Sequence, residues 1–406
     1  MKILIVHNRY QQRGGEDTVV AAEDWLLRSH GHQVELLQAD NDHIQGALAS
    51  GLAAVESIYS FSGKRRMHEA LRNFKPDLVH VHNFFPSLSP SIFIACSEAG
   101  VPVVHTLHNY RIQCAANSLY RNGQVCEECV SSRSFLPGVR HACYRSSRVG
   151  SAFVGFTMAL HEQIGTWSSR ISAYIALTKF AAEKLGRFRI PAEKLFVKPN
   201  FAVDRGTGAG DGNYALFAGR FTPEKGLQTL IDADASGELC MEVVVLGDGP
   251  MRGELEQATA RIGSRLKLKG FAGPEEMQAW MKGAKALLMP SLWYEGDPMV
   301  VIEAFSVGLP VIASNLGNTA ATVLAEGAGL VYAPGEHMGM AAALRSVAED
   351  AEAARSMRQN ARRYYLSAHT PEKNYERLME IYAHALRMPE RAGIEGQQQV
   401  MVNRPV

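Results

Sequence analysis

The sequence predicts an α/β protein of two doubly wound domains that face each other across a cleft. Three observations carry that prediction. Short apolar runs alternate with longer amphipathic stretches, as in parallel strands joined by helical crossovers. The rhythm breaks at 199–212, a stretch rich in Gly, Asn and Asp, and restarts at Tyr214. The 406 residues suffice for two cores.

Composition narrows the function. An apolar share of 46% and a charged share of 20% suit a globular α/β protein, and a net charge of +1 argues against a nucleic-acid partner. No apolar run approaches the ~20 residues of a membrane span. The opening MKILIVHNRY has only Ile3–Val6 as its apolar run, so it is expected to be a first strand rather than a secretory leader. Six cysteines without such a leader point to reduced thiols or a metal in a cytoplasmic protein.

In the first domain, 1–200, strands are expected at 2–6, 33–37, 77–82, 101–107, 173–177 and 195–197. Gly14-Gly15-Glu16 lies between the first strand and a helix running to Arg28. That is a usual place for close backbone approach to phosphate, although a lone Gly-Gly is more often just a flexible turn. Residues 43–75 look loosely helical, with a basic tract at Lys64-Arg65-Arg66, and a helix is expected near 89–99. His80, His82, His105 and His108 cluster at strand ends, where a histidine is more often a packing residue than a catalyst.

Residues 111–148 lack any strand or helix period. They hold Cys114, Cys126, Cys129 and Cys143, with Arg111, Arg121, Arg133, Arg140, Arg145 and Arg148 between or beside them. A CxxC with one outer cysteine on each side fits tetrahedral zinc, and also fits four reduced thiols in an inserted loop. No helix start is expected beside the CxxC, which speaks against a redox pair. If zinc is bound, the six arginines would form an anchored basic surface. Helices follow at 151–167 and 179–188; the basic face of the second is either solvated or a contact for anionic lipid.

In the second domain, 210–370, strand 214–218 leads into Gly219-Arg220-(x)4-Lys225-Gly226 and a helix over 226–234. Two cations at a helix start suit a diphosphate, and Arg220 can pair two oxygens at once. Strand 242–246 ends in Gly247-Asp248-Gly249-Pro250, and another strand covers 266–270. The most informative stretch is 286–318. A strand over 286–289 stops at Pro290, and a helix follows with Asp297 as N-cap, Pro298 at its first position, Met299 next and Gly308 past its end. Strand 311–313 closes the unit. The free amides after Asp297 favour an anion. Glu303 can accept both hydroxyls of a ribose and Glu295 those of a further sugar, or both are solvated helix-end glutamates. Residues 331–332 read as a strand end, 338–348, 350–366 and 371–387 as helices, and 389–406 as a tail without periodicity.

These residues resemble the retaining family 4 glycosyltransferases. Ser291-(x)3-Glu295-Gly296, the spacing Glu295-(x)7-Glu303 and the tail Glu303-Ala304-(x)3-Gly308-x-Pro310-Val-Ile-Ala-Ser match that family's signature. So do Gly219-Arg220-(x)4-Lys225-Gly226, the Gly247 turn, the Gly14-Gly15-Glu16 loop and Thr106-x-His108-Asn109. Two departures stand out: Gly296-Asp297-Pro298 replaces a more usual Gly-Phe-Gly, and Asn109 replaces a frequent Asp. The resemblance implies a GT-B fold of two Rossmann-like domains, with helix 371–387 crossing back onto the first. It implies transfer of a hexose from a nucleotide-sugar donor to a sugar or lipid-linked sugar acceptor, with retention, in polysaccharide or glycoconjugate synthesis. It places Gly14, Gly15, Arg220, Lys225, Asp297, Pro298 and Met299 at the donor diphosphate, Glu303 at the ribose, Glu295 at the sugar hydroxyls and His108 at the reacting sugar. No catalytic cofactor is expected; the zinc of the cysteines would be structural. The acceptor domain would contact the inner face of a membrane peripherally. An epimerase of similar fold and a non-catalytic nucleotide-sugar binder are the alternatives.

Overall fold

The computed structural model describes residues 1–9, 14–39, 56–186 and 189–387. Expectations for 43–55, for 187–188 and for the tail lie outside these residues. Six parallel strands form the first sheet: β1 (Lys2–Asn8), β2 (Gln33–Ala39), β3 (Leu78–Asn83), β4 (Val103–Leu107), and then, after a two-stranded hairpin of β5 (Tyr120–Arg121) and β6 (Gln124–Val125), β7 (Ala173–Ala176) and β8 (Leu195–Val197). Their spatial order is β2-β1-β3-β4-β7-β8. The second sheet contains β9 (Tyr214–Ala218), β10 (Glu242–Leu246), β11 (Leu266–Gly270), β12 (Leu287–Met289), β13 (Val311–Ser314) and β14 (Gly329–Tyr332), in the order β11-β10-β9-β12-β13-β14. All ladders in both sheets are parallel. Strands covered on both faces need continuous apolar runs, and Ile3–Val6, like Leu287 and Leu288, is fully buried.

Each order reverses direction once, between β1 and β3 in the first sheet and between β9 and β12 in the second. Crevices of open parallel sheets form outside the carboxyl ends of strands at such reversals. Here the two crevices are turned toward each other. The first sheet carries a flavodoxin-like order and the second the dinucleotide-binding order.

Three connections hold this arrangement. The helix Pro371–Arg387 buries Leu378, Ile381 and Tyr382 against Ile3, Ile5 and Ile175 of the first sheet. The helix before it, Ala351–Ala368, stays on the second domain, where Tyr365 donates to the carbonyl of Ala202 at 2.8 Å. At the junction, His369 Nδ1 lies 2.9 Å from the carbonyl of Asn200.

Two local expectations need correction. The helix after β12 is Met299–Ser306, with Pro298 in the cap position and no side-chain cap. Asp297 does not cap it. Its carboxylate turns to the linker and accepts the Asn200 amide at 2.7 Å, while its carbonyl accepts Asn200 Nδ2 at 2.9 Å. A proline that has no N–H to satisfy leaves the acid free for this tertiary role. The second correction concerns 111–148, which is structured: it holds the β5–β6 hairpin and the short helices Glu128–Ser131 and Leu136–Arg140. Elements of two to five residues are too short to show a period.

Candidate active site

The cleft between the two sheets encloses about 1050 Å³, at the upper end for small-molecule sites. Its first-domain wall carries Gly14, Gly15, His108 and Asn109; the facing wall carries Arg220, Lys225, the loop 293–298, Met299 and Glu303. All ten of the non-cysteine candidates therefore line one cavity. Gly14 and Gly15 have an informative environment. Gly14 is extended (φ −138°), and among the described residues a Cβ built on either glycine would meet nothing within 4 Å. No contact with the described residues demands glycine there, and the small residue keeps the cleft open to a close ligand. The Gly14 amide itself is used: it donates to Asp17 Oδ2 at 3.0 Å.

Lys225 and Glu295, assigned above to different parts of one ligand, touch each other. Lys225 Nζ donates to Glu295 Oε1 at 2.8 Å, and Ser291 Oγ donates to the same oxygen at 2.6 Å. Both side chains are mostly buried, 16% and 8% exposed. Burial pushes the Glu295 carboxyl up, but Lys225 and the hydrogen bonds of Lys225, Ser291 and Trp293 outweigh it and hold the group below the ordinary range. Lys225 also lies 5.5 Å from the Trp293 ring centroid, a cation–π distance. Arg220 is half exposed and only loosely paired with Glu224 at 3.6 Å, so its guanidinium is available to a ligand.

Glu303 is half-buried in the wall. Among the described residues its carboxylate accepts no hydrogen bond, and burial, opposed by Arg205, raises its pKa to about 7. A carboxyl kept this way without a protein partner is a candidate ligand group. The Asp297 carboxyl is likewise pushed up, to about 6, by burial against the pull of His369, the Asn200 amide and Lys198.

Behind His108 lies a network that strand-end placement left as packing. His108 Nε2 is 2.9 Å from His82 Nδ1, and His82 Nε2 is 3.3 Å from Glu23 Oε2. Glu23 comes from the first helix, Gly15–Ser29, which a reading of strand ends alone does not reach. The sequence signal was the DLVHVH alternation, which puts His80 and His82 on one face of β3.

The four cysteines line a second, small cavity together with Arg121, Glu128 and His141. Cys129 lies on the helix Glu128–Ser131 and the other three on loops or turns, yet no three of their sulfurs form a group within 4.8 Å among the described residues; the set that does is Glu23, His80 and His82. A helix start does lie beside the CxxC, contrary to expectation, since Glu128–Ser131 begins two residues after Cys126. It does not activate Cys129, whose thiol burial pushes up to about 11; burial raises Cys114 and Cys143 as well. Nor do six arginines form one surface. Arg111 is buried over the Phe85 ring at 4.4 Å, and Arg121 is paired with Glu128, leaving Arg133, Arg140, Arg145 and Arg148 exposed. The insertion also reaches the cleft: Glu127 Oε1 accepts Tyr294 Oη at 2.9 Å and Lys184 Nζ at 2.6 Å.

Comparison with known proteins agrees with this geometry. The family model described as Glycosyltransferase Family 4 matches residues 13–203, and that described as Glycosyl transferases group 1 matches 203–364. Among curated proteins, the chain is 24% identical over 246 residues to the putative teichuronic acid biosynthesis glycosyltransferase TuaC of Bacillus subtilis, covering 61% of this chain and 55% of that one. It is 27% identical over 175 residues to a 2-deoxystreptamine N-acetyl-D-glucosaminyltransferase of Niallia circulans, covering 41% and 44%. The match thus spans about half the length of these relatives. Among solved structures, Alr3699/HepE of Anabaena in complex with UDP superposes with a TM-score of 0.62 at 19% identity, covering 94% of this chain and all of that one.

Proposed function

This chain belongs to the family 4 glycosyltransferases of GT-B fold, and from that premise we propose that it moves a sugar from a nucleotide-sugar donor to an acceptor hydroxyl with retention of configuration. One observation carries the reading: a single cleft combines an open glycine turn, a half-exposed arginine, a buried Lys225–Glu295 pair and a Glu303 carboxylate without a hydrogen-bond partner among the described residues. A nucleoside diphosphate sugar uses each of them. Glu303 accepts the ribose hydroxyls. Arg220, Lys225 and the helix start at Pro298–Met299 take the diphosphate. Glu295, oriented by Lys225 and Ser291, accepts hydroxyls of the sugar, and His108 meets that sugar from the opposite wall.

In the transfer step the bond from the anomeric carbon to the diphosphate oxygen breaks, and the acceptor oxygen bonds to that carbon on the same face. The acceptor proton passes to the departing phosphate. Arg220, Lys225 and the helix start stabilise the charge that develops there, without reorganisation during the step. A thermal-shift screen of UDP-, GDP-, ADP- and dTDP-sugars tests the donor site. The matching donor should raise the midpoint, by about 2.7 kcal/mol of stabilisation at a hundredfold excess over Kd. No shift with any of them would remove the donor assignment.

Two features belong to the same proposal. The four cysteines supply a soft donor set around one cavity and would hold a structural zinc if the thiols drew together. Elemental analysis of protein purified without added metal should find about one zinc, lost in Cys126→Ser; metal-free protein with reactive thiols would refute this. The acceptor would be lipid-linked, reached by peripheral membrane contact. No described helix is long and apolar enough to cross a membrane. Yet the helix Arg148–Gln163 exposes Val149 and Phe156, with Leu136 and Ile164 also exposed and the exposed Arg145 and Arg148 at its start. An apolar face beside basic residues suits an anionic interface. Phe156→Asp with Val149→Asp should abolish co-sedimentation with phosphatidylglycerol vesicles; unchanged sedimentation would exclude this face.

A further inference from the structure

The histidine chain behind the cleft ends on a buried ion pair. Glu23 Oε1 accepts Lys198 Nζ at 2.5 Å, and Lys198 also donates to Asn374 Oδ1 at 3.1 Å. Glu23, Lys198, His80 and His82 are all at most 2% exposed. Glu23, His80 and His82 are close enough to share a cation, but the site is already served. Lys198 supplies the positive charge, and both His80 nitrogens are taken, by Thr106 Oγ1 and Tyr382 Oη at 2.8 Å each. The neighbouring titratable groups are also occupied: His7 Nε2 is 2.9 Å from Asp17 Oδ1, and His105 Nδ1 is 2.9 Å from the Val81 carbonyl.

Charge balance then sets the protons. One carboxylate and one ammonium cancel, so an imidazolium at His82 would leave an uncompensated buried charge. A neutral His82 puts its proton on Nε2, the nitrogen that lies 3.3 Å from the Glu23 carboxylate. Its Nδ1 therefore offers a lone pair, and His108 Nε2 must be the donor across the 2.9 Å contact. Burial and then the neighbouring His82 hold the His108 pKa well below the ordinary histidine value, which agrees with a neutral ring. Its remaining nitrogen, Nδ1, has no partner among the described residues, and the residue lines the cleft.

We propose that Lys198, Glu23 and His82 are positioning residues that lock His108 neutral with a lone pair on Nδ1 toward the cleft, so that the site selects a donor sugar bearing a hydroxyl rather than a carboxylate at the facing position. The inference rests on the donor reading of the cleft. A hydroxyl donates to that nitrogen, whereas a uronate carboxylate meets it lone pair to lone pair. The chain acts through His108 and touches no ligand.

Nitrogen-15 NMR of histidine-labelled protein, with His108 assigned by its loss in His108→Gln, reads the tautomer directly. UDP-glucose and UDP-glucuronate, titrated in parallel, read the selection. Wild-type protein should show His108 at pH 7 with its proton on Nε2, and should prefer the neutral sugar. His82→Leu should release the tautomer and shrink the preference at least about tenfold, the effect of one lost hydrogen bond. His82→Gln, whose amide can accept from His108 and donate to Glu23, should keep most of it, a rescue that a merely space-filling role would not require. A proton on Nδ1, an imidazolium at pH 7, or an unchanged preference in a folded His82→Leu protein would overturn the proposal. If neither UDP-sugar binds, the same sugar pair is titrated on the nucleotide that the thermal-shift screen selects; binding of no nucleotide sugar at all sinks the donor reading instead, and the tautomer spectrum still decides the direction of the chain.

Discussion

Lys225→Met is expected to lower kcat/KM for transfer about 10²–10³-fold, the range for removing one preorganised group from a developing oxyanion. It should also cost stability. Lys225 and Glu295 pair at 2.8 Å with little exposure, and stripping one partner from a buried pair costs about 3–5 kcal/mol because the other is left uncompensated. The two effects separate in the double variant. Lys225→Met with Glu295→Gln removes both charges, so the denaturant midpoint should return toward the parent value while transfer stays low. Recovery of transfer along with stability would mean that the pair only braces the loop. Arg220, half exposed and weakly held by Glu224, should behave differently: Arg220→Ala weakens the free nucleoside diphosphate and the intact donor alike, with little change in stability.

The second large effect belongs to Glu303. Glu303→Ala should weaken donor binding by about 1.5–3 kcal/mol, the value of hydrogen bonds to a charged group, with the fold retained. Its pKa of about 7 adds a pH signature. Ribose hydroxyls donate to the ionised carboxylate, so binding expels a proton wherever the free group holds one. Donor affinity should therefore rise with pH up to about 7 and then level off. The stability linkage runs the other way. The carboxyl is raised above its unfolded value of about 4.3, so its folded form holds the extra proton, and stability falls as pH climbs from about 4.3 to about 7. Glu303→Gln should flatten both slopes. Calorimetric titration between pH 5.5 and 8 checks this, and an unchanged affinity slope in Glu303→Gln would assign the titration to another group, Asp297 foremost.

The legible parts of this protein are those that local pattern controls. Two sets of buried parallel strands, the restart at Tyr214 and the loop carrying Glu295 and Glu303 all follow from runs and punctuation within a few residues. Contacts that span the chain were not legible. Lys225 and Glu295 stand 70 positions apart, and nothing local states that the cation meant for phosphate would hold the acid meant for sugar. Asp297 has the residue type and position of an N-cap, but Asn200 from the interdomain linker claims it. His82 looked like packing because its partner Glu23, and the Lys198 that pairs with Glu23, lie far away in sequence. Between Arg111 and Arg148, elements of two to five residues left no period to find, although the spacing of the cysteines did mark a segment with a cavity of its own.

The central claim is that the cleft breaks a nucleotide-sugar bond and rebuilds it on the same face. Proton NMR of the protein incubated with a panel of nucleotide sugars, using water or a small alcohol as acceptor, tests it without knowledge of the natural acceptor. The account predicts that one donor loses its nucleoside diphosphate and that the first-formed sugar product keeps the donor's anomeric configuration. An inverted product, a donor epimerised with its diphosphate intact, or a panel bound but left unchanged would contradict it.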